Sequence, residues 1–258
     1  KETTCESAPY VLKNLGYVTH AVHNNEANFY GRRSIFPNLG FDTFTSAEYM
    51  SEEEDKNPLG WTKDEVLTDE IIKCLDSTEE PDYVYTISVQ GHGAYPEESM
   101  LDDPEITVTG AATESQNNQW EYYCNEIHEM DQFVRELTDA LADYPEDVIL
   151  VMYGDHLPTM GLTVEDLKNK YLFQTQYVMW DNFGLKKKDE NLAAYQMAAE
   201  VMDRAGIHEG TVFRYHQARR NTRNYQVDLE TLQYDVLYGK QYSYDGEDPF
   251  QRTKMRMG

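Results

Sequence analysis

The stretch Val148-Ile-Leu-Val-Met-Tyr-Gly-Asp-His156 constrains the chain more than any other. Its run of apolar and aromatic side chains reads as a strand buried on both faces, the kind found in a parallel sheet under helices. The run stops at Gly154, and Asp155 and His156 follow at once. Ligands of open α/β sheets gather at the carboxyl ends of strands. A hard carboxylate next to an imidazole suits a divalent ion such as Mn²⁺ or Zn²⁺. The bland alternative is a turn in which Asp155 caps the next segment and His156 is merely exposed.

The same design recurs. Tyr17-Val-Thr-His-Ala-Val-His23 is a second apolar stretch ending in histidine, and Asp82 to Gln90 is a third, leading into Gly91-His92-Gly93. Parallel strands in one sheet would bring His23, His92 and His156 to a common edge. His20 falls on the opposite face from His23 and reads as a packed, hydrogen-bonded core residue. His128, His208 and His216 carry no chemistry in this reading, with Arg214 and His216 assigned structural roles.

Alternation of strands with helices defines the fold class, an α/β domain. Helices are expected from Ser7 to Leu15, closed by Gly16, and from a Thr62/Glu65 capping box to Leu75. Gln119 to Ala142 is the longest helical pattern, with Tyr123, Ile127, Met130, Val134, Leu137 and Leu141 as its apolar stripe. A short helix at Thr163–Asp166, a strand at Tyr177–Trp180 and helices at 191–204 and 229–238 complete the order. Residues 1–258 read as one partial domain, with a core to about 185 and C-terminal helices and strands over 186–258.

With 22 basic against 47 acidic residues, the formal charge is −25. That excludes a nucleic-acid or anionic-membrane surface built on positive potential. It leaves room for a phosphorylated substrate held locally by a metal ion and a few arginines. The acidic runs Ser51–Asp55 and Leu101–Glu105 read as solvated loops. Cys5, Cys74 and Cys124 are odd in number and lack metal-type spacing, so free thiols are expected. No run of 18 apolar residues occurs, and the first residue is Lys1. The chain is read as a piece of a longer protein.

Taken in order, His23-Asn-Asn-Glu-Ala-Asn-Phe-Tyr-Gly-Arg32, Leu39-Gly-Phe-Asp42, Ser88-Val-Gln-Gly-His-Gly-Ala-Tyr-Pro96 and Met152-Tyr-Gly-Asp-His156 resemble lipoteichoic acid synthases and related phosphoglycerol transferases. These belong to the sulfatase and alkaline phosphatase superfamily. The resemblance spans roughly residues 8 to 185. It implies a sulfatase-like, mostly parallel sheet flanked by helices, with its N-terminal part missing. It also implies an extracellular catalytic domain on the bacterial cell membrane, tethered by transmembrane helices absent here. Such enzymes move glycerol phosphate from phosphatidylglycerol to a glycerol phosphate polymer, using Mn²⁺ (or Mg²⁺ or Zn²⁺) and a phosphorylated threonine.

By motif match, Asp155 and His156 are metal ligands, while His23, Tyr30, Arg32 and His92 line the phosphoglycerol pocket. His92 is also the catalytic candidate. Tyr30 stands where related synthases carry tryptophan, and Arg33 competes with Arg32 for the phosphate. The nucleophilic threonine and a glutamate ligand are expected upstream of Lys1, since Thr3 and Thr4 lie too close to the first helix. The rivals are a sulfatase or phosphoethanolamine transferase, and a non-catalytic binding module on the same fold.

Overall fold

A computed structural model describes residues 3–51 and 55–258. The acidic run 51–55 therefore lies partly outside the described residues. In chain order the elements are α1 (Ala8–Lys13), β1 (Val18–His23), α2 (Arg32–Ile35), β2 (Thr43–Ser46), α3 (Val66–Leu75), β3 (Asp82–Ile87) and α4 (Glu114–Ala142). There follow β4 (Ile149–Tyr153), β5 (Tyr177–Asp181), α5 (Met197–Arg204), α6 (Thr211–Arg219), α7 (Tyr225–Leu237) and β6 (Arg256–Met257).

Four strands form a parallel sheet in the order β3-β1-β2-β6. Central β1 is buried from Thr19 to His23, and its side chains alternate between two apolar layers. Val22 packs with Leu67, Ile71 and Cys74 of α3 and with Phe133, Leu137 and Leu141 of α4. On the other face Ala21 packs with Phe36, Phe41 and Phe44. Leu67 is fully buried, and truncating such a leucine costs about 3 kcal/mol. The last strand, β6, adds beside β2, so the C-terminal segment returns to the sheet that the N-terminal residues begin.

Several expectations hold. Ser7 caps α1 through the Tyr10 amide, and Gly16 takes a positive φ of 91° just past its end. His20 is buried between Thr43 Oγ1 at 2.7 Å and Asp82 Oδ1 at 2.9 Å. Cys5, Cys74 and Cys124 are free thiols, though only Cys74 is buried.

Other expectations fail, each for a physical reason. β4 does not join the parallel sheet: it pairs antiparallel with β5 alone. Its Leu150 packs on the α3/α4 core while Tyr153 is exposed, so it is half-buried rather than covered on both faces. β3 ends at Ile87, not Gln90, because the amides of Val89 and Gln90 turn to the Asp64 carboxylate instead of a neighbouring strand. The Thr62/Glu65 capping box is absent. Thr62 sits in a short bridge with Lys56, and α3 starts after Glu65, which makes no side-chain cap. On α4, Tyr123 and Ile127 are only partly buried, because the first half of that helix turns Tyr122, Asn125 and Glu126 inward. β2, β6 and α6 were not anticipated. β2 is a four-residue strand inside a turn-rich segment, too short for its period to show.

Candidate active site

The centre of the candidate site is an interlocked pair. His23, the last residue of β1, is 1% exposed. Its Nδ1–H donates to the Ile87 carbonyl of neighbouring β3 at 2.7 Å. That bond fixes the tautomer and leaves Nε2 as an acceptor, which takes an N–H from Arg32 Nη1 at 3.0 Å. Burial, helped by the Arg32 charge, pushes the His23 pKa down to about 4, so the ring is neutral at neutral pH. His23 therefore lies beneath the pocket and aims Arg32, rather than forming its exposed wall.

Arg32 opens α2 after two successive left-handed residues, Tyr30 (φ 54°) and Gly31 (φ 72°). Gly31 adopts that conformation without cost, and the sharp turn it completes folds the guanidinium back over the rings that precede it. Arg32 Cζ lies 5.4 Å from the Phe29 ring centre and 5.3 Å from that of Tyr30, within cation–π range. Among the described residues only Arg32 Nη1 has protein acceptors, so Nε and Nη2 remain available for an anion. Burial lowers the guanidinium's pKa, opposed by Tyr85, Tyr30 and Asp155. Asp155 is thus within electrostatic reach of Arg32. Arg33 is exposed, whereas Arg32 is half-buried.

His92 faces the same centre from the β3 side. Its ring is edge-on to Phe29 at 6.2 Å and to Trp61 at 5.8 Å, and Phe29 also lies 6.2 Å from both Trp61 and His23. His92 Nδ1–H donates to the Gly93 carbonyl at 2.5 Å, leaving Nε2 as the free end of the ring. Gly93 has Thr159 Oγ1 3.0 Å from where a Cβ would stand. The His92 turn therefore packs against the loop that follows Asp155 and His156.

Asp155 and His156 stand apart in character. Their side chains are 82% and 58% exposed and 3.7 Å from each other. His156 Nδ1 bonds the Leu157 carbonyl at 2.8 Å, which again frees Nε2. Gly154 before them is held by Thr175, whose hydroxyl donates to its carbonyl at 2.6 Å. Among the described residues no group of three or more His, Cys, Asp or Glu is placed to hold a metal ion. The pair fits as part of a divalent-ion donor set: one hard oxygen and one imidazole nitrogen, adjacent and open to solvent.

The structure thus brings His23, Tyr30, Arg32 and His92 together, with Asp155 and His156 on the loop alongside. Sequence reasoning passed over Phe29 and Trp61, the rings between the histidines. A tryptophan inside the turn-forming run Asn57-Pro-Leu-Gly-Trp61 was the available signal, since such loops rarely carry large rings without a contact to make.

A parallel sheet under helices, with polar groups gathered at the carboxyl ends of β1 and β3, is the arrangement in which α/β enzymes place their ligands. The Sulfatase family model matches residues 1–207, and the chain belongs to that family. A protein of Rhizobium meliloti (strain 1021) named for cyclic beta-1,2-glucan modification is 27% identical, the match covering 88% of this chain and 42% of that protein. Lipoteichoic acid synthase 1 of Bacillus subtilis (strain 168) is 31% identical over 60% of this chain and 24% of its own length. The chain therefore spans less than half of either relative. Among solved structures, the Streptococcus pyogenes phosphoglycerol transferase GacH in complex with sn-glycerol-1-phosphate superposes with a TM-score of 0.74. The sequences are 21% identical, and the match covers 92% of this chain and 66% of that one.

Proposed function

We propose that this chain carries the phosphoglycerol-binding half of a divalent-metal-dependent phosphoglycerol transferase. Such an enzyme moves glycerol phosphate from phosphatidylglycerol to a lipoteichoic acid-type or related surface polymer. The observation that carries the reading is the Arg32 guanidinium, fixed on neutral His23 and walled by Phe29, Tyr30, Trp61 and His92. A phosphate diester needs charge neutralisation at its non-bridging oxygens, and an arginine fork with free N–H groups supplies it. Aromatic faces beside it suit a short polyol, whose C–H groups pack on rings while its hydroxyls stay wet. Relatives named for lipoteichoic acid synthesis and glucan modification, and a structural neighbour holding glycerol phosphate, support the same substrate class.

In this reading Arg32 binds and orients the phosphate. His92 Nε2 gives or holds the proton at the departing diacylglycerol oxygen. Phe29 and Trp61 limit water around the reacting phosphorus. Asp155 and His156 supply two donors to a divalent ion, Mn²⁺ by the family resemblance, and such an ion when bound polarises phosphate and activates a hydroxyl nucleophile. No helix among the described residues is long and apolar enough to cross a membrane.

The test is calorimetric titration of the chain with sn-glycerol-1-phosphate, with inorganic sulfate and phosphoethanolamine as competitors. Binding of glycerol phosphate that Arg32→Ala abolishes supports the reading. Preference for sulfate or phosphoethanolamine would move the assignment to another branch of the superfamily.

A further inference from the structure

Beneath the pocket, three polar side chains from separate parts of the chain meet in the dark of the fold. Asp64 is fully buried at the start of α3. Its Oδ1 accepts from Asn24 Nδ2 at 2.8 Å and from the amides of Val89 and Gln90 at 3.2 and 3.3 Å. Its own amide donates to Gln90 Oε1 at 2.8 Å. Asn24 directly follows His23, and Gln90 lies two residues before His92. One carboxyl group thus ties together the chain segments that carry the two pocket histidines.

The brace extends to Trp61. Asn57 Nδ2 donates to the Gln90 carbonyl and to Glu126 of α4, while Asn57 Oδ1 accepts from the Leu59 and Trp61 amides. Glu129 of α4 accepts from Gln90 Nε2 and pairs with Lys63. Burying this many polar groups is costly unless each bond forms, so the arrangement specifies geometry more than it adds stability. A plain apolar core would hold β1 and β3 together without fixing where the loops beyond them turn.

We propose that Asp64 is a positioning residue for the phosphoglycerol pocket, setting the separation of Arg32, which His23 aims, from the His92–Trp61 wall through Asn24 and Gln90. This rests on the pocket reading above. Among the described residues, two atoms of the brace, Asn24 Oδ1 and Asp64 Oδ2, have no hydrogen-bond donor. Burial also raises the Asp64 pKa and so favours its uncharged form. An amide is therefore the conservative replacement: it keeps Oδ1 as acceptor and puts a donor where Oδ2 stands.

The experiment titrates the purified chain and its Asp64→Asn, Asp64→Ala, Asn24→Ala and Arg32→Ala variants with sn-glycerol-1-phosphate, and follows the His92 ring resonances by NMR. Asp64→Ala is expected to weaken binding roughly tenfold and shift the His92 signals, because the supporting shell no longer fixes the pocket walls. Asp64→Asn is expected to restore both to near the parent values. Asp64→Ala that stays folded and binds like the parent would overturn the proposal, as would an Asp64→Asn variant as weak as Asp64→Ala. If Asp64→Ala does not fold, Asn24→Ala decides, since it cuts one arm and leaves the bonds to Val89 and Gln90; unchanged binding there overturns the proposal. Loss of binding in Arg32→Ala alone separates a failed brace from a failed pocket, and retention of binding in Arg32→Ala removes the pocket reading itself.

Discussion

The two rims of the site are built in opposite ways. Around Arg32, each functional group is held by at least one other: His23 by Ile87, Arg32 by His23 and two rings, His92 by Phe29 and Trp61. Around Asp155, the side chains reach into solvent, and His156 is fixed only by the next residue's carbonyl. The first rim is held by contacts within this chain, whereas the second is two exposed side chains. Preorganised recognition survives in isolation; a metal site with two ligands does not.

The largest expected effect separates the rims directly. Arg32→Ala should cost about 2–3 kcal/mol of glycerol phosphate affinity, and Arg32→Lys about half of that, because a point charge replaces a fork. Asp155→Ala and His156→Ala should leave that affinity in metal-free buffer unchanged. Equal losses in both sets, read by calorimetry, would mean that the rims act as one unit already.

Acid should act on the first rim through His23. His23 is neutral in the fold down to about pH 4, whereas an unfolded histidine takes up its proton near 6.5. Its contribution is therefore full above pH 6.5 and is lost as pH falls toward 4, by on the order of 3 kcal/mol. Denaturant titrations of the parent and His23→Gln, compared at pH 7 and pH 4.5, should show a smaller acid loss in the variant. Parallel curves would contradict this account of His23.

Metal binding probes the second rim. With Asp155 and His156 as its donors here, Mn²⁺ should bind this chain at roughly millimolar strength at best. Tight stoichiometric binding by calorimetry would show that ligands within this chain had been overlooked. The smallest effect is on folding: Asp155→Ala and His156→Ala should change stability by less than about 0.5 kcal/mol, since both side chains are exposed. A larger shift in melting would show that the second rim is braced after all.

Much of the first rim was legible in the sequence. His23 and Arg32 are nine residues apart around a Tyr-Gly turn, and a single strand end places both. The α/β alternation was equally plain, since apolar runs and helical stripes are local patterns. What misled was the assumption that each apolar run enters one sheet: β4 carries the right side chains yet pairs only with β5. Period and composition fix which face is apolar but not which neighbour supplies the hydrogen bonds.

The sequence by itself determined the strand cores and the placing of His23 at a strand end, because these depend on residues close along the chain. Only the tertiary structure decided that Phe29 and Trp61 meet between the histidines, and that Asp64 binds segments about 25 to 40 residues away. Those contacts join polar and aromatic groups whose partners lie far along the chain. The energy of burying an Asn or Asp depends on whether a distant donor or acceptor arrives to meet it, and no local pattern records that.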